Sequence, residues 1–285
     1  MIRDIVEALK LEHTLFALPF AYLGVWAAAG GRPAWSTIGW VTLAMAAARS
    51  AGMAANRLID RPIDRLNPRT KNWPVSAGRV KPVTLTAIIF VGAGLLVLSA
   101  SRLNQLCLWL APWALALMFF YPVTKRFTWT CHFWLGLVLA AAPAAGWLAV
   151  TGAWSQELIP LAAGVLFWVA GFDILYALLD LEFDRRHGVH SIPQRFGIGR
   201  ALAISRACHI AAVLGFAGFG ILVHGGFWYW AAVAVMAALL AYEHSLVQPD
   251  RLDRINKAFF TVNGWISISF FLLAWLDLKS RIGGI

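Results

Sequence analysis

Long apolar runs, each broken by a short polar stretch, recur along the chain from residue 14 to residue 276. About 20 apolar residues are needed to cross the hydrocarbon core of a bilayer as a helix, and these runs meet that length. The pattern predicts nine spans, at 14–31, 35–57, 83–100, 106–123, 131–151, 158–179, 201–223, 227–247 and 257–276. The expected fold is therefore all-α, a polytopic membrane protein whose nine transmembrane helices form one bundle in a single domain over residues 1–285. Ahead of the first span, Ile2, Ile5, Val6 and Leu9 alternate with Asp4, Glu7 and Lys10. That pattern predicts a short amphipathic helix over 2–12, lying at the membrane interface. Residues 1–13 mix acids and bases, and no small-residue cleavage site follows the first apolar run, so the first span is expected to remain in the protein.

The polar stretches alternate in character. Those at 32–34, 101–105, 152–157 and 224–226 are short and nearly neutral, whereas 58–82 and 180–200 are long, charged and rich in Pro and Gly. The long pair are expected to cap the bundle on one side, and loops of that length are commonly functional.

Composition agrees with the pattern. The chain is 60% hydrophobic and 13% charged, against about 25% charged for soluble domains. The net charge of +10 would suit a nucleic-acid ligand, but its distribution suits a membrane. With the N-terminus inside, 18 of the 24 Lys and Arg fall on the cytoplasmic side, four (Arg32, Arg102, Lys279, Arg281) fall opposite, and Arg49 and Arg206 lie within spans. This asymmetry is the positive-inside signal, and it orients the bundle. Cys107, Cys131 and Cys208 show no metal-ligand spacing and sit in or beside apolar spans, as small buried hydrophobes do.

Against this apolar background the carboxylates are conspicuous. Of 14 Asp and Glu, five gather in two clusters, Asp60 and Asp64 after the second span, and Asp173, Asp180 and Asp184 at the end of the sixth and just after it. The i, i+4 spacing of each Asp pair stacks its carboxylates on one helix face. A carboxylate at membrane depth costs about 2.5–3.5 kcal/mol even on the mildest scale. The two long loops are also weak copies of each other. Each opens with Asp-x-x-x-Asp and passes through a Pro turn, Asn67-Pro68-Arg69-Thr70 with Trp73-Pro74 in one and His190-Ser191-Ile192-Pro193 in the other. Each then closes on Gly78-Arg79 or Gly199-Arg200. The motifs leave spans four apart, so both emerge on the same side, as a parallel repeat requires. If the bundle closes, the two acidic faces can meet across a central cavity.

Asp60, Asp64, Asp180 and Asp184 would carry about four negative charges, enough to balance two Mg2+ ions, and Mg2+ typically joins a few carboxylates to substrate phosphates. Lys125, Arg69, Arg57 and Arg185 lie near the clusters in sequence and could meet a diphosphate. One such motif alone would read as a solvated salt-bridge surface; two on one membrane face with matching downstream patterns argue for a site. Arg49 lies in the small-residue run Ala46-Ala47-Ala48-Arg49-Ser50-Ala51-Gly52, seven residues before Asn56 and so on the same helix face. It reads as a fork for a substrate carboxylate or phosphate, or else as a structural ion pair with a carboxylate such as Asp173. Tyr121-Pro122-Val123-Thr124-Lys125 ends the fourth span at the same face, and Tyr176 stands one turn before Asp180.

These residues resemble the UbiA superfamily of intramembrane prenyltransferases. The family pattern is an Asn/Asp-rich motif after the second helix, Tyr-x-x-x-Lys after the fourth, and Tyr-Ala-x-x-Asp-x-x-x-Asp after the sixth. Here these read Asn56…Asp60…Asp64, Tyr121…Lys125, and Tyr176-Ala177-Leu178-Leu179-Asp180…Asp184. Arg57 is a departure, standing where many members carry Asp. The resemblance spans essentially the whole chain. It implies two Mg2+ ions held by Asp60, Asp64, Asp180 and Asp184 with Asn56 assisting, and a diphosphate held by Lys125 and Arg69. Tyr176 then belongs with the catalytic carboxylates, and Arg49, Tyr121 and Asp173 with the substrate-binding groups. The implied reaction is Mg-dependent transfer of a polyprenyl group from its diphosphate to a ring carbon of an aromatic hydroxy acid, at the cytoplasmic face of a bacterial inner membrane.

Within the family the chain looks most like the 4-hydroxybenzoate polyprenyltransferases of quinone biosynthesis and their menaquinone-pathway relatives. The strings that carry this are Glu12-His13-Thr14-Leu15-Phe16-Ala17-Leu18-Pro19-Phe20 and Ser191-Ile192-Pro193-Gln194-Arg195-Phe196-Gly197. The acceptor is 4-hydroxybenzoate or 1,4-dihydroxy-6-naphthoate; both carry a carboxylate and a phenol that Arg49 would suit. An ion-coupled transporter is the main non-enzyme alternative, but its site should lie near the midplane on broken helices. An intramembrane aspartyl protease needs two aspartates rather than four, and a CDP-alcohol phosphotransferase needs an Asp-Gly-x-x-Ala-Arg string absent here.

Overall fold

A computed structural model describes residues 2–9, 14–249, 252 and 254–283, and its regular elements are all helices. They run α1 (Ile2–Leu9), α2 (Thr14–Ala28), α3 (Trp35–Asp64), α4 (Pro82–Leu103), α5 (Gln105–Thr124), α6 (Cys131–Thr151) and α7 (Leu158–Ala177). A 3-10 turn at Leu178–Asp180 leads into α8 (Leu181–His187), then α9 (Ile192–Leu222) and α10 (Phe227–Leu246). α11 (Ile255–Lys257) passes through a π-helical stretch, Ala258–Val262, into α12 (Asn263–Gly283). Among the described residues six helices are long and apolar enough to cross a membrane: Pro82–Leu103, Gln105–Thr124, Cys131–Thr151, Leu158–His187, Ile192–Leu222 and Phe259–Ile282. α2, α3 and α10 occupy the other three predicted spans.

Both predicted cap loops need correction. The first was expected to begin at residue 58, yet α3 continues to Asp64. Its 30 residues reach about 45 Å at 1.5 Å per residue, longer than a hydrocarbon core of about 30 Å. Charge ends the apolar run, but it does not end the helix, because its carboxylates find partners beyond the apolar layer. The second expected loop, 180–200, is mostly helical. α8 stops at Gly188 in the left-handed region, and Ser191 then caps α9 by accepting from the Gln194 N–H. Pro193 sits in the first turn, where a missing N–H is harmless. Gly197, at φ 79° and ψ 171°, turns α9 toward the bundle, a conformation that an L side chain resists.

Helices pack where side chains are smallest. A Cβ on Gly24 of α2 would strike the Pro143 carbonyl of α6, and one on Gly146 would strike the Ala21 carbonyl, so these two helices touch backbone to backbone. Larger rings fill the interior, with Phe20 centred 5.0 Å from Trp168 and 5.4 Å from Phe216. Trp35, Phe90, Trp109, Trp113 and Phe227 are exposed on the outside, where a bilayer rather than water would suit them. The amphipathic α1 docks on this framework. Ala8 and Leu9 are buried, Asp4 pairs with Arg79 at 3.1 Å, and the Ala8 carbonyl accepts from Arg57 Nε at 3.2 Å. Residues 10–12 of the expected helix, and with them Glu12 and His13 of the first resemblance string, lie outside the described residues.

Candidate active site

α3, the end of α5, and the α7–α8 corner bring their polar residues to one end of the bundle. Asp60 and Asp184 are only 4% and 6% exposed, and Asp64 is buried as well, so these are not solvated loop charges. A buried carboxylate needs compensation, and the two halves of the chain supply it by the same plan. Asp60 accepts from Lys125 Nζ at 2.6 Å and from Asn56 Nδ2 at 3.1 Å. Asp180 accepts from Arg69 Nε at 2.8 Å and from Asn67 Nδ2 at 2.8 Å, and Arg69 Nη2 closes on its second oxygen. The leading carboxylate of each motif thus receives one cation and one carboxamide.

The trailing carboxylates each receive a hydroxyl. Thr70 Oγ1 donates to the Asp64 carbonyl at 2.8 Å and approaches its Oδ1 at 3.3 Å. Ser191 Oγ donates to Asp184 Oδ2 at 3.0 Å. Asn67, Thr70 and Ser191 were not singled out as site residues from the sequence. Their signal was present, since they flank the matched Pro turns of the two loops.

Lys125 is the electrostatic centre. Burial alone would lower the pKa of its ammonium, but Asp60, with Asp64 and Asp184 beyond it, holds it above the ordinary lysine value. Burial likewise opposes the charge of Arg69, and hydrogen bonding and attraction to Asp180 and Tyr176 overcome it and raise the guanidinium further. Arg69 Nη1 also donates to Tyr176 Oη at 2.9 Å, and the Tyr176 ring packs on Phe259 with centroids 4.2 Å apart. His190 N–H donates to the Lys125 carbonyl at 2.8 Å, which ties the end of α5 to the α8–α9 turn.

Deeper in the bundle, Tyr121 lies near enough to Asp60, Arg49, Asp173 and Arg57 for their charges to act on its hydroxyl. Asp173 is engaged by His132, whose Nδ1 lies 2.7 Å from its Oδ2. The Ile192 N–H donates to His132 Nε2 at 3.2 Å. With Nε2 accepting, Nδ1 must carry the proton and donate to Asp173. A lone histidine in an apolar span carried no sequence signal for this role.

Two expected cations have other main partners. Arg57 lies over the Trp73 ring at 4.0 Å, bonds the Ala8 carbonyl, and comes only to 3.9 Å of Asp64. It fastens α1 to the cap rather than adding a free charge to the mouth. Arg185 is exposed on α8.

The donor set suits a hard divalent cation. Asp60 Oδ1 is buried with no hydrogen-bond partner among the described residues, and the other available groups are carboxylate and carboxamide oxygens. Among the described residues no three acidic, His or Cys side chains stand together as a metal site. Lys125 and Arg69 instead neutralise the leading carboxylates directly.

A model of the UbiA prenyltransferase family matches residues 17–272. The 4-hydroxybenzoate octaprenyltransferase of Marinobacter nauticus is 31% identical over 283 residues, covering 96% of this chain and 94% of its own. The enzyme of the same name from Paraburkholderia phytofirmans is 31% identical over 280 residues, covering 95% and 92%. The apo structure of a UbiA homologue from Aeropyrum pernix K1 superposes with a TM-score of 0.86 at 34% identity, over 93% of this chain and 98% of that one. A UbiA homologue from Archaeoglobus fulgidus bound to GPP and Mg2+ shares the fold, with a TM-score of 0.76 at 21% identity over 97% and 99%.

Proposed function

The chain belongs to the UbiA prenyltransferase family, and we propose that it transfers a polyprenyl group from polyprenyl diphosphate to a ring carbon of 4-hydroxybenzoate in quinone biosynthesis. The observation that carries this reading is the matched pairing of Asp60 with Lys125 and Asp180 with Arg69 at one end of an apolar bundle. Cations that now neutralise carboxylates are the ones a diphosphate would claim once Mg2+ takes the carboxylates.

Asp60, Asp64, Asp180 and Asp184, with Asn56 assisting, would hold two Mg2+ ions. Those ions, when bound, supply electrostatic stabilisation of the charge that builds on the departing diphosphate. Lys125 and Arg69, now bonded to Asp60 and Asp180, would bind the diphosphate oxygens. Tyr176, released from Arg69 or still bound to it, donates its hydroxyl to the same group. The allylic C–O bond breaks with its electron pair going to the diphosphate, and the cation is sheltered from water by the apolar helices of the bundle. Arg49 clamps the acceptor carboxylate, with Tyr121 and Asp173 beside it, so that a phenol-flanking carbon faces the cation. The ring then supplies the electron pair for the new C–C bond and gives its proton to a carboxylate or diphosphate oxygen of the site.

The same reading places the single domain, residues 1–285, as nine transmembrane helices in a bacterial inner membrane with the mouth on the cytoplasmic side. The caps would be the segment after α3 and the α8–α9 corner. The names of the curated relatives support 4-hydroxybenzoate over 1,4-dihydroxy-6-naphthoate.

The test is purified protein in detergent with a polyprenyl diphosphate and each aromatic acid in turn. The expected product is 4-hydroxybenzoate with one ring hydrogen replaced by the prenyl group, with diphosphate released only when Mg2+ is present. Prenylated naphthoate alone would reassign the acceptor. No diphosphate release with either acid would defeat the reading.

A further inference from the structure

Arg206 is the second arginine within the predicted spans, and the site above does not use it. It is exposed on α9, and among the described residues it has no ion pair or hydrogen bond with a protein group. Beside it a groove of about 400 Å3 opens between α9 and α10, a volume in the range of ligand sites. Arg206 and His244 stand at one end of the groove, and Ile210, Leu214, Ala237 and Ala241 continue its walls. The helices are antiparallel, so numbers rising along α9 and falling along α10 lead the same way. The polar end is the one near the acidic cluster. α10 finishes there at Leu246, and the chain returns through Phe259, which packs on Tyr176. Ile210 and Leu214 are 63% and 66% exposed, so the groove faces outward, toward lipid.

The polar end also has unfilled hydrogen-bonding nitrogens. His209 Nδ1 and His244 Nε2 lie 2.9 Å apart and share one hydrogen bond. That leaves His209 Nε2 and His244 Nδ1, both buried and both without a hydrogen-bond partner among the described residues. Whichever ring donates in the shared bond, one of these two nitrogens is a donor and the other an acceptor.

We propose that this groove binds a phospholipid of the surrounding bilayer, with its phosphodiester on Arg206, a headgroup hydroxyl hydrogen-bonded to His244 Nδ1, and an acyl chain along Ile210, Leu214, Ala237 and Ala241. Arg206 is exposed at the end of the groove near the acidic cluster, without a protein anion among the described residues, and lipid phosphates are the anions that line that level of a bilayer. The small side chains of Ala237 and Ala241 leave the space that a chain would fill.

The experiment is native mass spectrometry of delipidated protein titrated with dioleoylphosphatidylglycerol in a non-ionic detergent. One tight lipid is expected on the wild type. Arg206→Gln should weaken it about tenfold, the effect of losing one charge-assisted hydrogen bond, while Arg206→Lys should keep most of the affinity. Ala241→Trp, which fills the groove and leaves Arg206 in place, should lose the lipid with an unchanged melting temperature. Unchanged affinity in either Arg206→Gln or Ala241→Trp overturns the proposal. So does displacement of the lipid by inorganic phosphate or diphosphate, since that would mark a site for free anions.

Discussion

Arg69 closes a two-pronged hydrogen bond on Asp180, reaching from the cap that follows α3 to the motif that follows α7, with Nε 2.8 Å from Oδ1. The contact spans 111 positions of sequence and fastens the two halves of the site to each other. Lys125, at the end of α5, donates a single hydrogen bond to Asp60. A site whose carboxylates are already neutralised by its own cations is stable without ligands and is poised to exchange one set of partners for another.

Arg69→Ala should therefore raise the prenyl diphosphate KM by roughly 10- to 100-fold, the range expected when a hydrogen bond to a charged group is lost. Arg69→Lys should recover part of this, because a point charge remains while the planar fork is gone. Steady-state kinetics with each substrate varied separately checks it. A normal diphosphate KM in Arg69→Ala would leave the Asp180 pair as purely structural.

Replacing Asp60, Asp64, Asp180 or Asp184 by Ala should each cut transfer by more than about 100-fold, a larger effect than loss of a residue that only supports a metal ligand. Chelation of divalent cations should do the same to the wild type and be reversed by added Mg2+. Full activity in Asp64→Ala or Asp180→Ala would reduce the clusters to surface charge.

Arg49→Ala should raise the acceptor KM while prenyl diphosphate binding changes little, since a buried charge-assisted fork is worth about 2–5 kcal/mol on truncation. Arg49→Lys should rescue only partly. If Arg49→Ala instead weakens prenyl diphosphate binding, the acceptor carboxylate needs another partner.

His132→Ala removes the donor to Asp173 and the acceptor for Ile192 N–H at one stroke. Leaving those groups without partners should cost about 1–3 kcal/mol. A lower melting temperature in detergent is the expected result. An unchanged one would mean that water replaces the imidazole.

Reporter fusions at Thr70 and His190 should both read as cytoplasmic, since both follow acidic motifs that leave the bundle on the same side. Opposite readings at the two positions would undo the parallel relationship of the halves.

Asn56, Asp60, Asp64, Tyr121, Lys125, Tyr176, Asp180 and Asp184 were all legible because their spacings place them on helix faces at span ends, and periodicity is a local property. Arg69 was legible as a cation near the clusters and through the family resemblance, but its bond to Asp180 was not. The cap boundaries were misread because the end of an apolar run marks the end of the hydrocarbon layer, whereas helix α3 ends only where its hydrogen bonding does, at Asp64.

By itself, the order of residues determined that the chain forms apolar helices, that positive charge gathers in alternate connecting segments, and which side chains are candidates for the site. Those follow from hydropathy, period and charge, each read over a few turns of chain. Only the tertiary structure decided that Asn67, Thr70 and Ser191 reach the carboxylate-bearing residues, that His132 holds Asp173, and that Arg57 stacks on Trp73 while standing 3.9 Å from Asp64. A buried charge takes whichever partner the packed helices bring within about 3 Å, and that choice depends on distances between segments that no local pattern encodes.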